Sequence, residues 1–116
     1  MTTDSNQGAS ADPATGIVDA HHHLWDLAIG GYGWLQNPPF ADRGWGDWSA
    51  LRHNYLLGDF HADIADVPVT KSVHIQASHD PDFALRETAW ISQLPDEHGF
   101  PHAIVAYVDL ESAFAE

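Results

Sequence analysis

The 116-residue sequence contains no cysteine and only four lysines and arginines. The first absence excludes a disulfide framework, thiolate metal ligation and thiol catalysis. Any metal would have to be held by His, Asp or Glu. The scarcity of basic residues stands against seventeen acidic ones and a formal charge of −13. That balance argues against a phosphate backbone or an anionic membrane surface as partner, because both need Lys and Arg. The acidity reads first as solubility. Long apolar runs are missing too: none approaches the roughly 18 consecutive apolar residues of a membrane span. The N-terminus lacks the basic and apolar segments of a secretory signal, so a soluble cytoplasmic protein is expected. No GxSxG elbow and no GxGxxG or GxxxxGK[ST] phosphate loop occurs.

What is present is a chain with 44% hydrophobic residues, enough for a modest core. Residues 1 to 15 carry no aromatic and no branched aliphatic side chain and read as a disordered leader. Ile17 to Ala20 reads as a buried strand. Residues 24 to 57 hold four of the five tryptophans and show no lasting period. They are expected to form either a lid or an Ω-like loop packed by its own aromatics. A short helix follows, with Asp59 as its cap, Phe60, Ile64 and Val67 on one face, and Pro68 ending it. Lys71 to Ala77 alternates as a strand, with Val73, Ile75 and Ala77 on one face and His74 and Gln76 on the other. Asp80 and Pro81 open a second helix with Phe83, Trp90 and Leu94 in a stripe, closed by Pro95. His102 to Leu110 reads as a third strand. The order strand, loop, helix, strand, helix, strand argues for parallel βαβ units.

The chemistry concentrates in Ile17 to Asp26, IVDAHHHLWD. Asp19, His21 and His23 are spaced by two, so on a strand they share one face. Two imidazoles so placed can bind one divalent cation, with Asp19 orienting a ring from behind. His22 points the other way and reads as structural. Gln76, at the end of the second strand, can donate to a substrate carbonyl or carboxylate. His79 reads as a loop residue lining the same mouth, and His74 as a packed core histidine. Trp34, Trp45 and Trp48 can cover a ring-shaped ligand or simply pack the loop. Glu87 lies inside the apolar stripe of its helix. It reads as a structural carboxylate paired with Arg86, Arg52 or a neighbouring strand.

The opening segment resembles that of the amidohydrolase-related family, in the branch of sugar-lactone and dicarboxylate lactonases. Further segments resemble it in order: Gly33-Trp34-Leu35, YLLGDFHADIAD from Tyr55, KSVHIQA from Lys71, Glu87 to Trp90, and AYVDL from Ala106. The resemblance runs from about residue 16 to 116. It implies that residues 16 to 116 are the N-terminal portion, about three β/α units, of a (β/α)8 barrel cut short. Such a barrel needs about 250 residues. It implies hydrolysis, with lactone ring opening favoured, His21 and His23 as catalytic residues, and Gln76, Trp34 and His79 toward a small-molecule substrate. Many members hold a divalent metal, with zinc the first expectation and His21 and His23 as its ligands; others work without one. The general base and later ligands come from later strands, so the 116-residue chain is expected to carry at most half a site and to be inactive alone. The alternatives are a non-catalytic acidic α/β module, an inactive fragment, or a decarboxylase of a related barrel.

Overall fold

A computed structural model describes residues 16–40 and 42–112. The expected leader lies outside the described residues. Three strands, β1 (Ile17–His22), β2 (Val69–Ile75) and β3 (Ala103–Val105), form a parallel sheet in the order β1-β2-β3. Parallel neighbours require crossovers. The first contains α1 (Gly33–Gln36), a 3₁₀ turn at Ser49–Leu51 and α2 (Leu57–Asp63). The second contains a 3₁₀ turn at Pro81–Phe83 and α3 (Ala84–His98). The fold is thus a small α/β unit with a three-stranded parallel sheet.

Several expected boundaries shift. β1 runs on through His22, and Ile17 and Val18 are 47% and 55% exposed rather than buried, because β1 is an edge strand. α2 starts two residues before Asp59, which sits at N3. Its carboxylate accepts the backbone N–H of Leu56 at 2.8 Å, so it secures the first turn from inside the helix. α2 also ends at Asp63, which leaves Val67 exposed, while Phe60 and Ile64 pack as expected. α3 passes through Pro95. A proline in the last turn forfeits little, since its own carbonyl still accepts the N–H of Gly99 at 2.8 Å. The helix stops at Gly99, where φ of +74° suits a residue without a Cβ. β3 is only three residues long, and Ala106 to Leu110 leave the sheet.

Two cores hold the unit. Leu24, Leu57, Phe60 and Ile91 pack with Trp90, Leu94 and Ile104 between sheet and helices. The second lies within the long loop: Trp25, Tyr32, Leu35 and Trp48 close on Ala77 at the end of β2. Trp25 and Tyr55 exchange both backbone hydrogen bonds, at 2.9 and 3.0 Å, and so pinch the loop at its neck. The loop is therefore of the self-packed Ω kind, joined to the sheet through Ala77.

A polar row runs through the helix side of the sheet. Ser72 and His74 are fully buried, and His22 nearly so. His22 Nε2 and Ser72 Oγ lie 2.9 Å apart, and the His22 ring stacks on Phe60 at 4.1 Å. His74 Nε2 reaches the Leu24 carbonyl at 3.4 Å. Burial holds His74 at about 4, only partly opposed by that hydrogen bond. Burial also lowers His22, against the pull of the Asp19 charge. Both rings fold neutral, whereas an unfolded imidazole titrates near 6.5. Stability is therefore full above pH 6.5 and falls as the unfolded state takes up protons, until the His74 contribution levels off near pH 4. The His74 share is about 3 kcal/mol. Urea midpoints between pH 7 and 5 should fall in the native sequence and fall distinctly less in His74→Leu. Equal slopes would contradict this assignment.

Candidate functional site

The site starts where β1 runs out. His23 follows β1 directly, and its Nδ1 lies 2.9 Å from the Ile75 carbonyl at the end of β2. A carbonyl only accepts, so Nδ1 carries the proton and Nε2 keeps its lone pair. Two adjacent strand ends of the parallel sheet thus fix the tautomer of this ring. The His21 ring meets His23 edge-on, with centroids 5.0 Å apart, and is exposed. His22 lies on the helix side, held by Ser72 and Phe60. Spacing by two therefore brings His21 and His23 together and sends His22 away.

Asp19 does not follow the same rule. The β1–β2 register shifts between Asp19 and His22, and the Asp19 carboxylate accepts the backbone N–H of His21 at 3.1 Å. It shapes the strand end and orients neither His21 nor His23 through an imidazole hydrogen bond.

His23 lines two cavities. One, of about 230 Å³, is walled by Trp25, Trp34 and Trp45, with Leu51, Ala77 and Ser78. The other, of about 670 Å³, lies toward α2 and includes His53, Tyr55, Asp59 and Asp63. There the Tyr55 hydroxyl donates to Asp63, and burial together with that carboxylate raises the phenol above its ordinary range. Trp34 is fixed by its indole N–H donating to the Ala77 carbonyl at 3.0 Å. Trp48 is buried in the loop core, whereas Trp45 is 58% exposed at the cavity wall.

His21, Gln76 and His79 are not among the residues lining either cavity, whereas His22, expected to be only structural, lines the larger one together with His23. The Gln76 Oε1 accepts the N–H of Ser78 at 2.7 Å, and its own backbone N–H donates to Val105. His79 is buried against the Asp80 carbonyl and Glu87. Glu87 is partnered neither by Arg86 nor by Arg52. Its carboxylate accepts the Tyr32 hydroxyl at 2.8 Å and the Ala77 N–H at 3.3 Å, and His79 Nε2 lies 3.6 Å away, at ion-pair rather than hydrogen-bond distance. This buried carboxylate ties the long loop, the end of β2 and α3 together just behind the cavity wall at Ala77. Gly31, one residue before Tyr32, allows the loop to come this close: its φ is +87°, and a Cβ there would lie 2.4 Å from Phe83.

Two imidazoles supply only part of a zinc coordination shell, which usually has four ligands. Among the described residues no group of three or more His, Asp or Glu is placed to hold a metal ion. Among the described residues the donor set is thus incomplete for a divalent cation.

The chain is similar to uncharacterized protein y4mH of Sinorhizobium fredii, with 42% identity over 95 residues, or 80% of this chain. It spans only 31% of that relative's length. No family model and no solved structure matches the chain. Among the described residues, no helix is long and apolar enough to cross a membrane.

Proposed function

We propose that this segment supplies the first-strand half of a hydrolytic site of the amidohydrolase-related type, within a (β/α)8 barrel, that opens a lactone ring. The observation that carries the reading is His23: its tautomer is set by Ile75, its ring borders both cavities, and the His21 ring meets it edge-on from outside them. A base of that kind takes a proton from water as the water oxygen attacks the lactone carbonyl carbon. When the ring C–O bond breaks, the same nitrogen returns the proton to the departing alkoxide, and a hydroxy acid leaves. The exposed His21 is suited to donate to the substrate or to share a metal with His23. In a longer polypeptide a metal bound here would polarise the carbonyl, but this segment alone does not complete its ligand shell. Oxyanion stabilisation likewise falls to groups outside it. The protein is read as cytoplasmic, with a small-molecule partner.

Because the chain covers under a third of its relative, the test uses a polypeptide of the relative's full length that carries this segment. Incubation with sugar lactones should release one acid equivalent per ring opened, followed by titration at constant pH. Carbon dioxide release without ring opening would instead favour the decarboxylase reading, and no turnover of either kind would favour a binding module. The isolated 116-residue chain is expected to show no turnover.

A further inference from the structure

The larger of the two cavities that His23 borders, of about 670 Å³, lies against α2 and offers a ligand far more acceptors than donors. Outside His22, the side-chain donors on its wall are spent within the protein. The Trp25 indole N–H donates to the His53 carbonyl, and the Tyr55 hydroxyl donates to Asp63. His23 and His53 each turn Nδ1–H to a backbone carbonyl, of Ile75 and Asn54, so their neutral rings leave Nε2 as an acceptor. Asp59 and Asp63 stand four residues apart on α2, hence on one face, and both are exposed at the cavity. Each has one oxygen engaged, by the Leu56 N–H and by Tyr55, and among the described residues neither makes an ion pair. Among the described residues that line the cavity, none is Lys or Arg. Two like charges on one helical face without a counter-ion repel each other. On the inner wall His22 is 7% exposed, and its Nδ1 has no hydrogen-bond partner. A buried imidazole nitrogen left open marks a wall that the protein does not satisfy by itself.

We propose that this cavity binds a protonated primary amine carried on an aromatic body, with the ammonium on the carboxylates of Asp59 and Asp63 and the body against Trp25 and Phe60. An ammonium has three N–H donors and no lone pair, and so matches a wall of acceptors. The rim carboxylates attract it, and the aromatic faces hold both its hydrocarbon part and, through their quadrupole, its charge. An anion of the same shape meets two carboxylates and no cation. The proposal goes beyond the hydrolytic reading and does not rest on it. Its test measures binding at equilibrium without turnover, so either can fail alone.

The probes are 2-phenylethylamine, its uncharged counterpart 2-phenylethanol and the anion phenylacetate. They are added to the 116-residue chain at about pH 8, where an ordinary imidazole is neutral and an alkylamine is protonated. The ring signals of Tyr55 and Phe60 and the Trp25 indole N–H report binding by NMR. The amine should bind at least about threefold tighter than the alcohol at low salt, as expected of a charge-assisted contact at an exposed rim. Phenylacetate should bind more weakly than the alcohol. Asp59→Asn combined with Asp63→Asn keeps an acceptor toward Leu56 and Tyr55 and should bring amine and alcohol within about twofold. Asp96→Asn removes the same charge on α3, away from the cavity, and should leave the preference intact. On the native sequence alone, methylammonium carries the same charge without a body and should move none of these signals at concentrations where the amine does. That arm separates a formed site from general attraction to an acidic protein, and it holds even if the double variant misfolds. A native chain that binds amine and alcohol equally, or neither, overturns the proposal. So do tighter binding of phenylacetate, equal shifts with methylammonium, and a preference that survives the double variant or is lost as fully in Asp96→Asn.

Discussion

Replacing Glu87 with alanine should destabilise the fold by about 2–6 kcal/mol, the cost of leaving two buried donors without their acceptor at about 1–3 kcal/mol each. The carboxylate is 4% exposed and receives the hydroxyl of Tyr32, itself 1% exposed, and the N–H of Ala77. Burial first, and then the Glu87 charge, raise the Tyr32 phenol far above its ordinary range, so it remains a donor at all working pH values. Without Glu87 both donors lose their acceptor in a dry site, and a side-chain-sized void opens beside them. Glu87→Gln keeps the shape and one acceptor and should cost about 1–2 kcal/mol. Tyr32→Phe removes one donor and should cost a similar amount. Urea unfolding followed by tryptophan fluorescence measures all three. A loss below about 1 kcal/mol in Glu87→Ala would mean that the loop is held by its aromatics alone. The cavity wall should loosen with the clamp, because Ala77 both receives Trp34 and donates to Glu87.

The alternation of Lys71 to Ala77 located β2, which runs two residues earlier at each end, from Val69 to Ile75, and Asp80-Pro81 marked the start of the second helical segment, although the Asp80 side chain makes no capping hydrogen bond. The pairing of His21 with His23, and the opposite placing of His22, followed from strand geometry alone. Other features were hidden for physical reasons. The helix side of the sheet carries His22, Ser72 and His74, polar residues that satisfy one another in part, so hydrophobic alternation does not mark the buried face. The expected role of Asp19 failed because a register irregularity, which no residue in IVDAHHH announces, turns its carboxylate to the backbone. Proline at position 95 suggested a stop, yet a last-turn proline sacrifices too little to end a helix that Gly99 ends anyway. The partners of Glu87 lie 55 and 10 residues away at Tyr32 and Ala77; only the carboxylate's place in an apolar stripe hinted that partners had to exist.

The central claim is that His21 and His23 act together in hydrolysis while His22 serves the fold. Lactone ring opening by the full-length polypeptide carrying this segment should fall about 10²- to 10⁴-fold in His23→Ala, the range for loss of a positioned acid–base group. His21→Ala should fall by a comparable factor, since the two rings are in contact. The double variant should be little worse than the worse single one, as for groups that work as a unit. If a metal is bound, its content should drop with the rate in both single variants; if none is, a chelator should change nothing. His22→Ala should keep the rate within about tenfold yet lower stability by about 2–3 kcal/mol, through loss of the Ser72 contact and the Phe60 stack. The measurement is therefore the ring-opening rate of the three single alanine variants and the double, each beside its unfolding midpoint. The account predicts collapse of rate at His21 and His23 with stability kept, and the reverse at His22. Equal rates at all three positions, or a full rate in His23→Ala, would contradict it.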